Sequence, residues 1–178
     1  MKIFDIECYA DKTERERLST IDIESFAKDG AYVILSIGEN ENDALFAARE
    51  GNGIIFLKGE TSSDAERLCR ENPDLVFIAG GFFSKGYGEG YSVRTAIELL
   101  NAVPNVYLNL SGMFSWLNYA LHEVVKAVPT DRLLFGSAFP FANPAYKRAT
   151  VIWEVRDMSE EDRNKIMYLN AARLFGEV

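Results

Sequence analysis

Short apolar runs alternate with amphipathic stretches along this chain. Six runs rich in Ile, Val, Leu and Phe predict strands, and they show little polar alternation, as expected when both faces of a sheet are covered. The predicted strands are 2–8, 32–37, 53–58, 75–79, 105–110 and 132–136. Strands that alternate with helices are typical of repeated βα units, so the pattern predicts an α/β fold with a parallel sheet.

Helical periodicity fills the segments between these strands. Ser62-Ser63-Asp64 predicts a helix start, and Asn72-Pro73 predicts the end of the same helix. Apolar residues at helical spacing predict two further helices, over 92–103 and 116–125. Near the C-terminus, Ser159 followed by three acids predicts another helix start, because these groups cap free N–H groups and oppose the helix dipole.

Composition and charge narrow the class of protein. The 178 residues are 48% hydrophobic and 26% charged, which predicts one globular domain over residues 1–178. The net charge of −8 argues against a nucleic-acid or anionic-membrane partner, because those partners need clustered Lys and Arg. Cys8 and Cys69 match no disulfide or zinc pattern, and no apolar run has the length of a membrane span. We therefore expect a cytoplasmic protein that does not enter a membrane.

Three motifs carry a resemblance to a known family. They are 105–112 (Asn-Val-Tyr-Leu-Asn-Leu-Ser-Gly), 131–137 (Asp-Arg-Leu-Leu-Phe-Gly-Ser) and 170–176 (Asn-Ala-Ala-Arg-Leu-Phe-Gly). They resemble the seventh strand, the eighth strand and the C-terminal helix of the amidohydrolase-related family of metal-dependent TIM-barrel hydrolases and decarboxylases. The resemblance implies a shortened TIM-like barrel of about six parallel strands with outer helices. It also implies that the second and third βα units are missing, between about residues 11 and 30, which leaves two sheet edges to cover or to pair in an oligomer.

The same resemblance locates the positions at which the family binds its metal. In this chain they are occupied by Glu7, Tyr9, Lys58, Gly80 and Ala138. A catalytic zinc needs about three His, Asp or Glu ligands around an open position, and only one of these five residues binds a cation well. The single histidine of the chain, His122, falls within a predicted helix and is interpreted as a structural or surface residue. The sequence therefore predicts no metal and no other cofactor.

Lys58 and Glu7 are the candidate catalytic residues. Residues two apart on a strand face the same way, so Asp5, Glu7 and Tyr9 are expected to point into the barrel, and Lys58 is expected to enter the same space. One interpretation is an internal ion pair that balances charge in a remnant polar cavity. The other is a desolvated lysine that forms a Schiff base or acts as an electrophile, with Glu7 or Tyr9 transferring protons.

Tyr9, Asn109 and Ser137 are the candidate substrate-binding residues at the mouth of the expected barrel. We expect a degenerate family member without a functional metal site, which binds a small molecule or interacts with another protein. The partner is expected to be a second copy of the chain or a full-length paralogue. The alternative is a hydrolase or decarboxylase with metal-independent chemistry centred on Lys58 and Glu7. At this level the sequence leaves open whether the protein is an enzyme.

Overall fold

The computed structural model describes residues 2–6, 23–25, 33–36, 39–58, 62–80, 93–111, 120–137 and 143–176. Their strands are β1 (Ile3–Asp5), β2 (Ile23–Ser25), β3 (Val33–Ser36), β4 (Ile54–Lys58), β5 (Val76–Gly80), β6 (Val106–Asn109) and β7 (Leu133–Leu134). Six of these seven strands lie within the predicted strand segments or one residue beyond them. The prediction of an α/β fold is confirmed.

The strands follow one another in the order of a β/α barrel. Strands β3 to β7 pair in chain order as one parallel sheet, and β1 pairs in parallel with β2. The N–H of Ile6, just after β1, donates to the carbonyl of Phe135, just after β7, over 3.1 Å. The end of β1 therefore lies beside the end of β7. Within the described residues, no pairing joins β2 to β3.

Strand β2 differs from the sequence expectation. The segment between residues 11 and 30 was expected to have lost two βα units, yet β2 forms there in register with β1, with Ile23 opposite Ile3. Three residues, one of them the charged Glu24, make too short an apolar run to stand out from a charge-rich segment. The barrel therefore keeps one more strand than the apolar pattern predicts.

Helices follow most of the strands. They are α1 (Glu41–Glu50), α2 (Ser62–Glu71), α3 (Val93–Ala102), α4 (Ala120–Ala127), α5 (Pro144–Glu154), α6 (Glu160–Asn164) and α7 (Asn170–Leu174), with a 3₁₀ turn at Thr130–Arg132 and a π-helical turn at Lys165–Leu169. The predicted cap at Ser159 is confirmed, because its Oγ accepts the N–H of Asp162 over 3.0 Å. In the described part of the chain, no helix is long and apolar enough to cross a membrane.

The sheet separates two apolar cores. The outer core lies between the strands and the helices α1 to α5, and the inner core lies on the opposite face of the same strands. Strand β4 illustrates the alternation: Ile55 and Leu57 belong to the outer core, whereas Ile54 and Phe56 pack in the inner core. Side chains on the inner face are those that a barrel encloses.

The C-terminal helical segment, residues 160–174, packs against β1 and β7 and closes the inner core. The side-chain Nδ2 of Asn170 donates to the carbonyls of Thr130 (2.7 Å) and Leu133 (2.9 Å). The rings of Phe4 and Phe175 stack with their centroids 5.5 Å apart. The contacts of Asn170 lie at the amino-terminal end of β7, and Phe4 is the central residue of β1, so the motif at 170–176 packs against both strands.

We expect the substitution Asn170→Ala to lower the free energy of unfolding by about 2–3 kcal/mol, because it leaves two carbonyl groups without their donor. Urea unfolding followed by circular dichroism measures the change. The matched control is Asn42→Ala, since Asn42 is exposed on α1. Equal effects of the two substitutions would contradict the role assigned to Asn170.

Cys69 provides a pH-dependent prediction. Its side chain is fully buried on α2, and this burial raises the pKa of the thiol to about 12. The unfolded chain loses this proton above about pH 9 and the folded chain does not, so the thiol lowers stability as the pH rises. Between about pH 7.5 and pH 10, this group should reduce the free energy of unfolding by about 1.5 kcal/mol. The decrease measured for the parent protein should exceed that of Cys69→Ala by this amount, and identical pH profiles would contradict it.

Candidate functional site

The carboxyl ends of the central strands form one row across the sheet. Ser36 of β3 pairs with Lys58 of β4, and Gly80 of β5 pairs with Asn109 of β6. Phe56 pairs with Ile78, so Lys58 and Gly80, each two residues further on, lie in the same register. In β/α barrels, active sites form at this end of the strands. The row therefore marks the candidate functional site.

For several of the predicted site positions, the structure describes no side chain. The backbone of Lys58 is described but its side chain is not, and Glu7, Tyr9 and Ala138 lie outside the described residues. Lys58 lies two residues after Phe56 on β4, and the entry of its side chain into the barrel stays a prediction. The pairing of Lys58 with Glu7 and the binding role of Tyr9 stay predictions.

Gly80 adopts a backbone conformation that only glycine accepts without strain. Its φ angle is +77°, and a Cβ added there would lie 2.9 Å from the carbonyl oxygen of Asn109 and 3.0 Å from Cδ1 of Leu108. Real Cβ atoms do not approach backbone oxygens so closely, and residues with a side chain rarely adopt this φ. The resemblance implies a metal-binding histidine at this position. In the present backbone, no histidine fits there without a shift of β5 or β6.

Asn109 and Ser137 are buried in the described structure. Oδ1 of Asn109 accepts the N–H of Ser111 over 3.0 Å, a local bond by which Asn shapes the turn after a strand. The exposed fraction is 1% for Asn109 and 0% for Ser137. Their proposed contact with a substrate stays a prediction.

Asp5, at the end of β1, forms a hydrogen bond to the segment that follows β7. Its carboxylate is fully buried, and Oδ1 accepts the N–H of Ser137 over 2.9 Å. Sequence reasoning expected Asp5 to point into the barrel, yet its neighbours Phe4 and Ile6 pack in the inner core while Ile3 packs in the outer core. Asp5 therefore alternates with the inward residues. A bend at Ile6 ends the described part of this segment, and the directions of Glu7 and Tyr9 stay predictions.

Sequence reasoning missed two elements of this site. The bond from Ser137 to Asp5 joins residues far apart in the chain, and no local pattern predicts it. The turn at Asn109 carried a readable signal, because an Asn two residues before a Ser after a strand favours this side-chain bond. His122 is half-buried within α4, as expected for a structural or surface residue.

The described residues do not fit the family's metal. They contain no group of three or more His, Cys, Asp or Glu side chains that could hold an ion together. Among the five family positions, Gly80 has no side chain and Ala138 has only a methyl group. Two ligand positions are therefore without a donor atom whatever the side chains of Glu7, Tyr9 and Lys58 do.

We expect Gly80→Ala to destabilise the protein by about 2–4 kcal/mol, because it adds both backbone strain and a close contact with Asn109. Gly53→Ala is the matched control. Gly53 has a similar φ of +73°, but a Cβ there meets nothing within 4 Å, so only the strain of about 1 kcal/mol is expected. Chemical unfolding of both variants separates the two effects. A loss at Gly80 no larger than at Gly53 would refute the steric argument.

A protein-family model and solved structures both match this chain, and the solved structures agree with a TIM-barrel fold. The model of the amidohydrolase family matches residues 26–176. The structure is similar to an uncharacterized TIM-barrel protein from Bordetella bronchiseptica, with a TM-score of 0.60, 21% identity, and coverage of 97% of this chain and 65% of that one. It is also similar to amidohydrolase 2 from Bifidobacterium longum subsp. infantis, with a TM-score of 0.51, 20% identity, and coverage of 75% and 54%.

This chain covers only part of each of these solved structures. The chain spans about two thirds of the first of these proteins and about half of the second. No curated protein sequence matches it. At these identities the solved structures establish the fold, whereas the family model covers most of the chain. From that match, this chain belongs to the amidohydrolase family.

Proposed function

We propose that this protein is a family member without the family's metal chemistry, and that it acts as a non-catalytic binding module for a partner protein or a small molecule. The observation that carries the proposal is the backbone of Gly80. A lost ligand could be restored by a single substitution if the backbone still accepted it. Here the backbone of β5 excludes a side chain, because φ is +77° and an added Cβ would lie 2.9 Å from the carbonyl oxygen of Asn109.

The burial of the polar residues near the mouth supports the same proposal. Asp5 and Ser137 are joined by a hydrogen bond, and Asn109 bonds to Ser111. All four side chains are at most 1% exposed. Buried polar groups that bond to one another stabilise a core, and they contribute to recognition only when a ligand can reach them.

Exposed aromatic residues on α5 favour a partner protein over a small molecule. Tyr146 and Trp153 are 57% and 64% exposed, and seven residues of helix place them on one face. Aromatic side chains are enriched in protein interfaces. A homo-oligomer and a complex with a full-length paralogue are the two forms of this proposal, and a cytoplasmic location belongs to it.

Metal content tests the proposal directly. Protein purified after growth with zinc, manganese and iron, incubated with excess zinc and desalted, should contain less than about 0.1 metal ion per chain by elemental analysis, because a catalytic site needs about three donor ligands. A ratio near one that falls in the variant Glu7→Gln would overturn the proposal. A ratio near one that Glu7→Gln leaves unchanged would overturn it as well, with the metal bound elsewhere.

Lys58 carries the second candidate function, since its backbone lies in the same row as Gly80 and Asn109. If Lys58 forms Schiff bases, incubation with pyruvate and cyanoborohydride should add one reduced adduct at Lys58, seen by peptide mass spectrometry. The binding-module proposal expects no adduct beyond the level at Lys126, an exposed lysine on α4. Selective labelling that disappears in Lys58→Arg would establish the enzymatic alternative.

A further inference from the structure

We propose that a cavity at the amino-terminal end of the barrel binds a small anion through a carboxylate or phosphate group. The cavity has a volume of about 480 Å³ and is lined by Lys2, Glu160, Arg163, Asn164, Tyr168 and Leu169. Pockets of about 300–1,000 Å³ accommodate small-molecule ligands. This site is separate from the binding function proposed for the mouth.

The position of the cavity follows from its residues. Lys2 immediately precedes β1, and the ring of Tyr168 lies 6.4 Å from the ring of Phe4 on the same strand. The cavity therefore lies under the barrel, beside the C-terminal helical segment. Residues at this end of a β/α barrel do not perform its chemistry. The site is accordingly a binding site and not a catalytic one.

Arg163 is anchored so that half of its guanidinium stays available. Its Nη1 donates to the carbonyls of Arg156 (3.0 Å) and Met158 (2.9 Å). No carboxylate among the described residues pairs with it. The Nε and Nη2 donors form the edge of the guanidinium that binds a carboxylate or phosphate with two parallel hydrogen bonds. The anchoring bonds fix this edge in advance, which reduces the entropy lost on binding.

Lys2 adds a second positive charge. Its Nζ lies 5.2 Å from the centroid of the Tyr168 ring, a cation–π contact that holds the ammonium over the ring. Among the described residues, Lys2 makes no ion pair. A Lys and an Arg line this cavity, each without an ion-pair partner among the described residues, and they form a local basic site in a chain whose net charge is −8.

Lys165 lies on the same helical segment as Arg163 and, in contrast to it, forms ion pairs within the described residues. Lys165, two residues after Arg163, pairs with Glu161 (2.9 Å) and Asp162 (3.4 Å), and Glu161 holds the pKa of its ammonium above the ordinary value. The two cations on this helical segment therefore differ in their ion pairs. Lys165 is paired with its acidic neighbours, while Arg163, a lining residue of the cavity, has no acidic partner among the described residues.

Glu160 determines which ligands fit. Its carboxylate also lines the cavity, so the described lining carries one negative and two positive charges. The half-buried side chains of Asn164 and Tyr168 add neutral hydrogen-bonding groups. A small anion is favoured over a large polyanion, because a second anionic group would approach Glu160.

Titration with inorganic phosphate and, separately, with succinate tests the site. At constant ionic strength, saturable NMR shifts are expected at the amides of Lys2, Asn164 and Tyr168. Saturation by phosphate alone identifies a phosphate ligand, and saturation by succinate alone identifies a carboxylate. Absence of saturable shifts with both probes up to about 50 mM would overturn the proposal, because such affinity is weaker than about 2 kcal/mol.

Charge variants separate this site from general electrostatics. Lys2→Gln should weaken binding about fivefold, and Glu160→Gln should strengthen it about twofold, as expected for charges near solvent. Lys126→Gln and Glu123→Gln, which change exposed residues on α4 by the same charge, should leave affinity within about 1.5-fold. Equal effects of Lys2→Gln and Lys126→Gln would refute a specific site, and so would weaker binding in Glu160→Gln.

Lys2 is the residue of choice because its side chain makes no hydrogen bond to the part of the chain that the structure describes, whereas Arg163 anchors the turn after α5. Metal content and Schiff-base trapping report on the mouth, and anion binding reports on the opposite end of the barrel. Failure of either proposal therefore leaves the other to be judged on its own measurements.

Discussion

The side-chain amide of Asn170 fixes the C-terminal helical segment to β7, and the described barrel depends on this attachment. Two backbone carbonyls of the segment 130–133 accept its protons, at 2.7 and 2.9 Å. The helix then fills the space under the inner core, where Phe175 stacks on Phe4 of β1. Asn170 thus joins the C-terminal helical segment to the last strand, and Phe175 joins it to the first strand.

The two ends of the barrel use polar residues in opposite ways. At the carboxyl ends of the strands, Asp5, Asn109 and Ser137 are buried and bonded within the protein. At the amino-terminal ends, Lys2 and Arg163 line a cavity, and neither forms an ion pair within the described part of the chain. Catalysis in this fold normally belongs to the first end. The cations for which we propose anion binding lie at the second end.

At Gly80, the departure from the family's metal-binding pattern involves the backbone as well as the side chain. Ala138 has no ligand atom in its side chain. At Gly80, φ is left-handed, and the carbonyl of Asn109 occupies the space that a side chain would need. Restoring a histidine would require β5 and β6 to separate, with a cost in the packing of both cores.

The sequence by itself determined the family, six of the seven strands that the structure describes, and the absence of ligand atoms in the side chains of Gly80 and Ala138. Apolar runs and short motifs record these features locally, because strand burial and residue chemistry act position by position. Only the tertiary structure decided the existence of β2, the outward side of Asp5, the backbone of Gly80 and the cavity between Lys2 and Arg163. Each of these depends on contacts between segments far apart in the chain, and such contacts leave no periodic trace in the sequence.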